Sequence, residues 1–472
     1  MIGREKEVEA LEGCLESNES QFIAVYGRRR IGKTMLVREA YAGRFTFLHT
    51  GLANVGMAEQ LAAFRDALCE YGLADCKEFR SWREAFGALK KLLMASKQEK
   101  KIVFIDEMPW MDTPRSGFVP ALEYFWNNWA AWEKNIVLVI CGSATSWIIK
   151  KVIRNRGGLH NRVTRQICLR PFTLRECELY SQSRQFPFSR QEIIAVYMIL
   201  GGVPYYWSLL NGSESVAQNV DRLFFAPEGE LRLEFSSLYK SLFKNASPHL
   251  KIVEALSGRK CGMVREEIMA ATGLCAGGKI TTALEELEEC GLIRKYQAFG
   301  KKSRDALYQL MDNFTLFHLK FASARNRHEA RHWTESLDTA EQNVWSGLAF
   351  ERVCLQHVDQ IRKAMGISGM LTSVCSWSCR GDGEKRGAQV DLVIDRRDRL
   401  VDLCEIKYST HPFKVTLATN DELRRKRWRF AEETKTRRGL RTVLIAAEGV
   451  ADGSYRGEFH TLVTGNDLFC DD

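Results

Sequence analysis

No stretch of the 472 residues approaches the ~18 consecutive apolar residues that a membrane-spanning helix needs. Met1 leads directly into Gly3, Arg4, Glu5 and Lys6, so no signal peptide is expected, no membrane is an expected partner and the expected location is the cytoplasm. The 14 cysteines form no disulfide framework. They are scattered, and Cys141, Cys168 and Cys404 fall inside apolar stretches, which fits buried reduced thiols. Cys375 and Cys379 have no second Cys or His pair at ligand spacing, which argues against a zinc site. Charge of one sign is also not in great excess: 68 Lys and Arg against 59 Asp and Glu leave +9, which permits nucleic-acid contact without requiring it. With 45% hydrophobic and 27% charged residues the chain has an ordinary folded composition, and its length suggests about three domains.

Against these absences one stretch stands out, residues 21–34, QFIAVYGRRRIGKT. Phe22, Ile23, Ala24 and Val25 read as a buried strand that empties into Gly27-Arg28-Arg29-Arg30-Ile31-Gly32-Lys33-Thr34, a match to GxxxxGK[ST] without exception. Such a loop cradles phosphate because its backbone N–H groups converge at a helix N-terminus, where the helix dipole also favours an anion. Lys33 is expected to reach the β and γ phosphates of ATP, and the Thr34 hydroxyl to ligate Mg2+.

Two further strands end in chemistry. KIVFIDE, residues 101–107, runs four apolar residues into Asp106 and Glu107 where a parallel strand would end, the edge at which open α/β sheets hold ligands. Asp106 is expected to hold Mg2+, and Glu107 to orient and deprotonate the attacking water. NIVLVICGS, residues 135–143, repeats the form and offers Ser143 and Thr145 as γ-phosphate sensors or as ordinary turn hydroxyls. Phosphoryl transfer also needs a cation against developing charge, and Arg162 or Arg165, ahead of the strand-like RQICLRPF, can supply it in cis or from a neighbouring copy.

Taken together, GRE at residues 3–5, GRRRIGKT, FIDE, GSATS, LHNR with LRPF, and GGVPYY at residues 201–206 resemble the archaeal-type ATPases of the AAA+/STAND superfamily, over about residues 1–240. The resemblance implies that Gly3 and Arg4 lie near adenine, that Ser143 is the sensor, that Arg162 is the finger, and that Pro204 sits in a helical lid over the nucleotide. The chain departs from the family pattern at residues 157–162, where no glycine immediately precedes the arginine.

Residues 248–310 read as three helices followed by two strand-like runs, IRKYQAF and DALYQL, with Gly300-Lys301-Lys302 as the turn: a winged helix-turn-helix. Its third helix carries Glu285, Glu286, Glu288 and Glu289, which would meet phosphate repulsion in a DNA groove, so a structural or protein-docking role is favoured over DNA reading.

In the last third, a helix expected over 341–361 sets Glu351 within an apolar stripe of Val344, Leu348, Leu355 and Val358. A carboxylate on a buried face needs a cation, a hydrogen-bond network or a metal as partner. QVDLVID and LVDLCEIKYS follow as consecutive strands, with Glu405 and Lys407 on one face. Asp391, Glu405 and Lys407 with Glu351 have the composition of a metal-dependent phosphodiesterase site. D then ExK on adjoining strands after a helix bearing Glu resembles the PD-(D/E)xK nuclease superfamily, which implies metal ligands at Asp391 and Glu405, support from Glu351 and catalysis aided by Glu405 and Lys407. Arg424, Arg425, Lys426, Arg427 and Arg429 on a following helix can track phosphates or form a solvated face.

The expected fold is therefore α/β: a P-loop NTPase parallel sheet over 1–172 with a helical lid over 173–244, a winged helix over 245–321, a linker over 322–336 and an α/β restriction-endonuclease-like domain over 337–472. The expected function is ATP hydrolysis that controls a nuclease-like domain, with ATP, ADP, Mg2+ and DNA or another nucleic acid as ligands, and a second copy or another protein as further partner. The alternative is a nucleotide-dependent switch whose C-terminal domain binds without cleaving.

Overall fold

Strand β1 (Gln21–Tyr26) buries its four central residues, and β4 (Ile136–Gly142) buries all seven, as strands covered on both faces must. In the computed structural model, which describes residues 1–74, 77–301, 305–323, 332–381, 383 and 385–471, they join β2 (Phe45–Thr50), β3 (Lys101–Asp106) and β5 (Arg165–Cys168) in an all-parallel sheet of order β2-β3-β4-β1-β5. Alternation sorts the side chains. Phe22, Ala24, Val103, Ile105, Leu138 and Ile140 enter one core with the aromatics Phe64, Trp82, Phe86 and Phe118, while Ile23, Val25, Ile102, Phe104, Val137 and Val139 enter a second, more aliphatic core with Leu11, Leu36 and Val37. Each large side chain buried in this way contributes on the order of 1.5–3 kcal/mol.

The chain divides into two compact units. The first is Met1–Arg170 with Leu238–Lys244, and the second is Pro171–Ser237 with Asn245–Asp472. The expected lid over 173–244 is thus not one piece, because its last seven residues group with the first unit.

Within the second unit, helices Leu174–Ser183 and Arg190–Leu200 each open on a capping box, at Thr173 and Ser189. Helix Ser247–Ser257, β6 (Met263–Val264), helices Arg265–Thr272 and Gly278–Glu289, β7 (Ile293–Tyr296) and β8 (Leu307–Leu310) then follow in turn, and the three strands form an antiparallel sheet of order β6-β8-β7. Lys302 and residues 324–331 of the expected linker lie outside the described residues.

The final sheet has the order β13-β12-β11-β10-β9, from β9 (Thr372–Cys379), β10 (Ala388–Arg396), β11 (Leu400–Lys407), β12 (Gly439–Ala446) and β13 (Thr461–Thr464). β9, β10 and β11 pair antiparallel, and β11, β12 and β13 pair parallel. Phe430 of helix Leu417–Thr434 packs with Val393, Val401 and Leu403 on one face.

The helix expected over 341–361 is broken. It runs Ala340–Gln356 and resumes as Val358–Ala364, because His357 leaves helical geometry with φ −117° and its Nε2 accepts from the Leu174 N–H at 2.9 Å. The expected apolar stripe is also rotated. Val344 is 67% exposed, while Trp345, Ala349, Phe350, Val353 and Cys354 turn inward with Glu351.

Candidate functional site

Paired register aligns the strand ends of the first sheet: Tyr26 of β1 lies beside Gly142 of β4, and Ile105 of β3 beside Ile140. Gly27, Asp106 and Ser143 therefore leave the sheet along a single edge. Gly27 has φ +139°, and a Cβ there would stand 2.3 Å from the Leu169 carbonyl oxygen, so only glycine lets the loop start against β5. Gly32 has φ +87° and caps helix Lys33–Ala40, and Arg30 has φ +69°. Buried Lys33 donates from Nζ to the carbonyls of Gly27 (2.9 Å) and Arg28 (2.8 Å), curling back over its own loop. Arg28 and Ile31 are buried, and Arg29 is half-buried.

Thr34 Oγ1 donates to Asp106 Oδ2 at 2.8 Å, joining the helix after β1 to the end of β3. Asp106 Oδ1 accepts the Glu107 N–H at 2.9 Å. Glu107 has φ +45°, a costly conformation for a glutamate, and its carboxylate accepts from Ser143 Oγ (2.6 Å) and Ser143 N (3.1 Å). The loop residues, Thr34, Asp106, Glu107 and Ser143 are thus brought together. Arg4 is buried and donates to the Arg170 carbonyl at 2.7 Å, after Gly3 with φ +62°. Arg162 is exposed in the turn before β5. Pro204 opens helix Pro204–Ser208 in the second unit.

The second constellation lies wholly within the second unit. β10 and β11 pair at Leu392–Cys404, so one step on Asp391 comes opposite Glu405. The three carboxylates do not converge as a metal set: among the described residues no group of three or more His, Cys, Asp or Glu side chains is placed to hold an ion. Ammonium groups stand in between. Lys260, in the turn after helix Ser247–Ser257, puts Nζ 2.7 Å from Glu351 Oε1 and 3.1 Å from Asp391 Oδ2. Glu405 is paired with Lys407 at 2.9 Å and with Lys426 at 2.8 Å.

The electrostatics follow. Burial pushes the Glu351 carboxyl up to about 7, Asp391 adds in the same direction, and Lys260 pulls against both. Burial also acts on Glu405, yet Lys426 and Lys407 outweigh it and hold that carboxyl below its ordinary range. For Lys260, burial disfavours the charge, but Asp391 and Glu351 prevail and raise its pKa.

Of the basic residues on helix Leu417–Thr434, Arg424 pairs with Glu458, Arg425 with Glu422, Lys426 with Glu405 and Arg429 with Glu433, so these four charges are already spoken for inside the unit. The sequence pattern required a partner for Glu351 without revealing Lys260. The one local signal was the Arg259-Lys260-Cys261-Gly262 turn, whose Gly262 has φ +75° and would place a Cβ 2.3 Å from the Tyr308 carbonyl oxygen. The expected third helix of the middle module does turn carboxylates outward, with Glu285 and Glu288 exposed.

Residues 1–210 match the family described as an ATPase domain predominantly from Archaea. An uncharacterised protein of Methanocaldococcus jannaschii is 25% identical over 419 residues, 86% of this chain and 87% of that one. An uncharacterised ATP-binding protein of the same organism is 45% identical over 38 residues, 8% of this chain and 64% of its own. Among solved structures, a Walker-type ATPase of Pyrococcus abyssi superposes with a TM-score of 0.49 at 17% identity, over 68% of this chain and 96% of that one. No described helix is long and apolar enough to cross a membrane. The N-terminal part of this chain is a nucleotide-binding P-loop ATPase domain of α/β fold with a parallel sheet.

Proposed function

We propose that this P-loop ATPase uses its nucleotide state to control a metal-dependent, nuclease-like C-terminal domain acting on nucleic acid. In the ATPase domain, Lys33 swings from its loop carbonyls to the β and γ phosphates, Thr34 and Asp106 hold Mg2+, and Glu107 takes the proton of the attacking water. Ser143 holds Glu107 until a γ phosphate competes for its hydroxyl, Gly3 and Arg4 border the base, Pro204 belongs to the lid, and exposed Arg162 completes the site of a second copy.

For the C-terminal domain one observation carries the reading: carboxylates from a helix and a strand, Glu351 and Asp391, meet over a single cation, with Asp391 opposite Glu405-Ile406-Lys407. The donor set fits a hard divalent ion, since Glu351 Oε2 is buried with no hydrogen-bond partner and two carboxylates offer two charges where one ammonium answers. Glu351 and Asp391, joined by Glu405 once it leaves Lys407 and Lys426, would hold Mg2+, and bound there it would supply charge against a phosphodiester and acidify water. Lys407 steadies the Glu405 carboxylate and lies where it can neutralise a scissile phosphate. The middle module is a winged helix whose acidic third helix favours docking over DNA reading.

Labelled DNA and RNA incubated with Mg2+ or Mn2+, with and without ATP, test the proposal. Cleavage lost in Lys407→Ala and Asp391→Ala is expected, and equal cleavage by these variants and the native protein would overturn it. The second reading, a non-cleaving nucleotide switch, is favoured by the fact that each acid already has a lysine partner. No nuclease activity together with ATP-dependent binding of nucleic acid or protein would select it.

A further inference from the structure

Lys260 belongs to the middle module, between helix Ser247–Ser257 and β6, yet its side chain ends at the acids of the C-terminal domain. Its backbone is clamped. Buried Arg352, the residue after Glu351, donates from Nη2 to the Lys260 carbonyl (3.0 Å) and from Nε to the Leu310 carbonyl (3.0 Å), and Gln309 Nε2 donates to the same Lys260 oxygen at 2.5 Å. The module is held at its far side as well: Phe299 N donates to the Ser376 carbonyl of β9 at 2.8 Å, and the Phe299 ring lies 4.9 Å from Phe430.

The match between ammonium and acids is incomplete in charge. One positive charge faces two carboxylates, one of which keeps an unpartnered buried oxygen. The match is also not sealed. Glu351 is 9% exposed but Lys260 is 39% exposed, and Lys260 borders a cavity of about 550 Å³ lined by Leu316, Val344, Trp345, Leu348 and Arg352. A fully buried lysine would be permanent, because a displaced ammonium would have nowhere hydrated to go. This one reaches water.

We propose that Lys260 is an internal stand-in for the divalent cation: the middle module plugs the acid pair Glu351–Asp391 with its own ammonium, and metal enters only when that side chain swings out into water. This regulation rests on the metal-site reading given above. It makes the rotamer of Lys260 on its clamped turn the variable that opens or closes the C-terminal site, without any change in the carboxylates themselves.

Titration of the nucleotide-free full-length protein with Mn2+ by calorimetry, together with thermal unfolding, tests it. Lys260→Met is expected to bind Mn2+ at least about 10-fold more tightly than the native chain, one unit of charge competition removed. It is also expected to gain a metal-dependent rise in Tm that the native protein lacks and that Asp391→Ala added to it abolishes. Lys260→Arg, which keeps the charge, should behave as native. If the Met variant does not fold, Lys260→Gln, which retains a donor toward the acids, replaces it. Equal, Asp391-dependent Mn2+ affinity in native and Lys260 variants would overturn the stand-in and leave the metal site intact. Absence of Mn2+ binding in folded Lys260→Met and Lys260→Gln would overturn the metal site, and the stand-in with it.

Discussion

The carboxylates that close β3, Asp106 and Glu107, and those within β10 and β11, Asp391 and Glu405, are kept in opposite company. Asp106 and Glu107 rest on hydroxyls, those of Thr34 and Ser143, while the nearby cation Lys33 is parked on main-chain carbonyls. Asp391 and Glu405 rest on ammonium groups, those of Lys260, Lys407 and Lys426. A hydroxyl gives way to an incoming cation or phosphate for about the net value of one neutral hydrogen bond, about 1 kcal/mol. An ammonium must be pushed off against its own charge attraction. On the reading proposed above, the acids after β3 stand ready while those of β10 and β11 are held by ammonium, and the holders make the difference.

The comparison predicts unequal responses. Glu107→Gln should keep ATP binding and slow phosphate release by on the order of 10²–10⁴-fold, measured under saturating ATP. Native turnover in that variant would remove Glu107 from the chemistry and with it the ready half of the contrast. Lys33→Ala should weaken ATP affinity by about 100-fold in calorimetry, because its ammonium is free to leave neutral carbonyls for phosphate.

A third response concerns pH. Burial holds His49 down to about 4, where its ring lies 5.1 Å from that of Phe64. The folded protein keeps this ring neutral while the unfolded chain takes up a proton near pH 6.5. Stability from His49 is therefore complete above about 6.5 and is lost as pH falls toward 4, by on the order of 1 kcal/mol per unit. His49→Phe should flatten that slope in thermal melts from pH 7 to 4. The smallest effect is expected for Asp391→Asn, which leaves Lys260 with one carboxylate and costs under about 1 kcal/mol, since that ammonium is partly in water. A larger loss in denaturant unfolding would mean that the shut site is a structural bolt.

What was legible in the residues follows from distance along the chain. The phosphate loop is contiguous, so its glycine and lysine spacing carried the whole cradle, and the two acids after β3 marked the sheet edge. Ser143 is named from its place after an apolar strand, but its hydrogen bond to Glu107 depends on β3 and β4 being neighbours, which the order of strands in the chain does not state. The burial of Glu351 demanded a partner, and that demand was correct. Its answer, Lys260, lies 91 positions upstream in a turn with no motif, so helical periodicity left cation, hydrogen-bond network and metal equally open. The same periodicity misjudged Val344, because a helix that borders an open cavity leaves one apolar strip uncovered.

The segment Leu238–Lys244 has a practical consequence. It returns to the first unit after the chain has already left at Arg170, and it brings Leu238, Tyr239, Leu242 and Phe243, all of them buried. The polypeptide therefore passes between the units three times, so no single scission yields both halves whole. Protease nicking after Arg170 should not release a free ATPase fragment, and a gene cut there would express a product missing a strip of its own interior. Dissecting the enzyme calls for point substitutions or for a circularly permuted chain that carries residues 238–244 with the first 170.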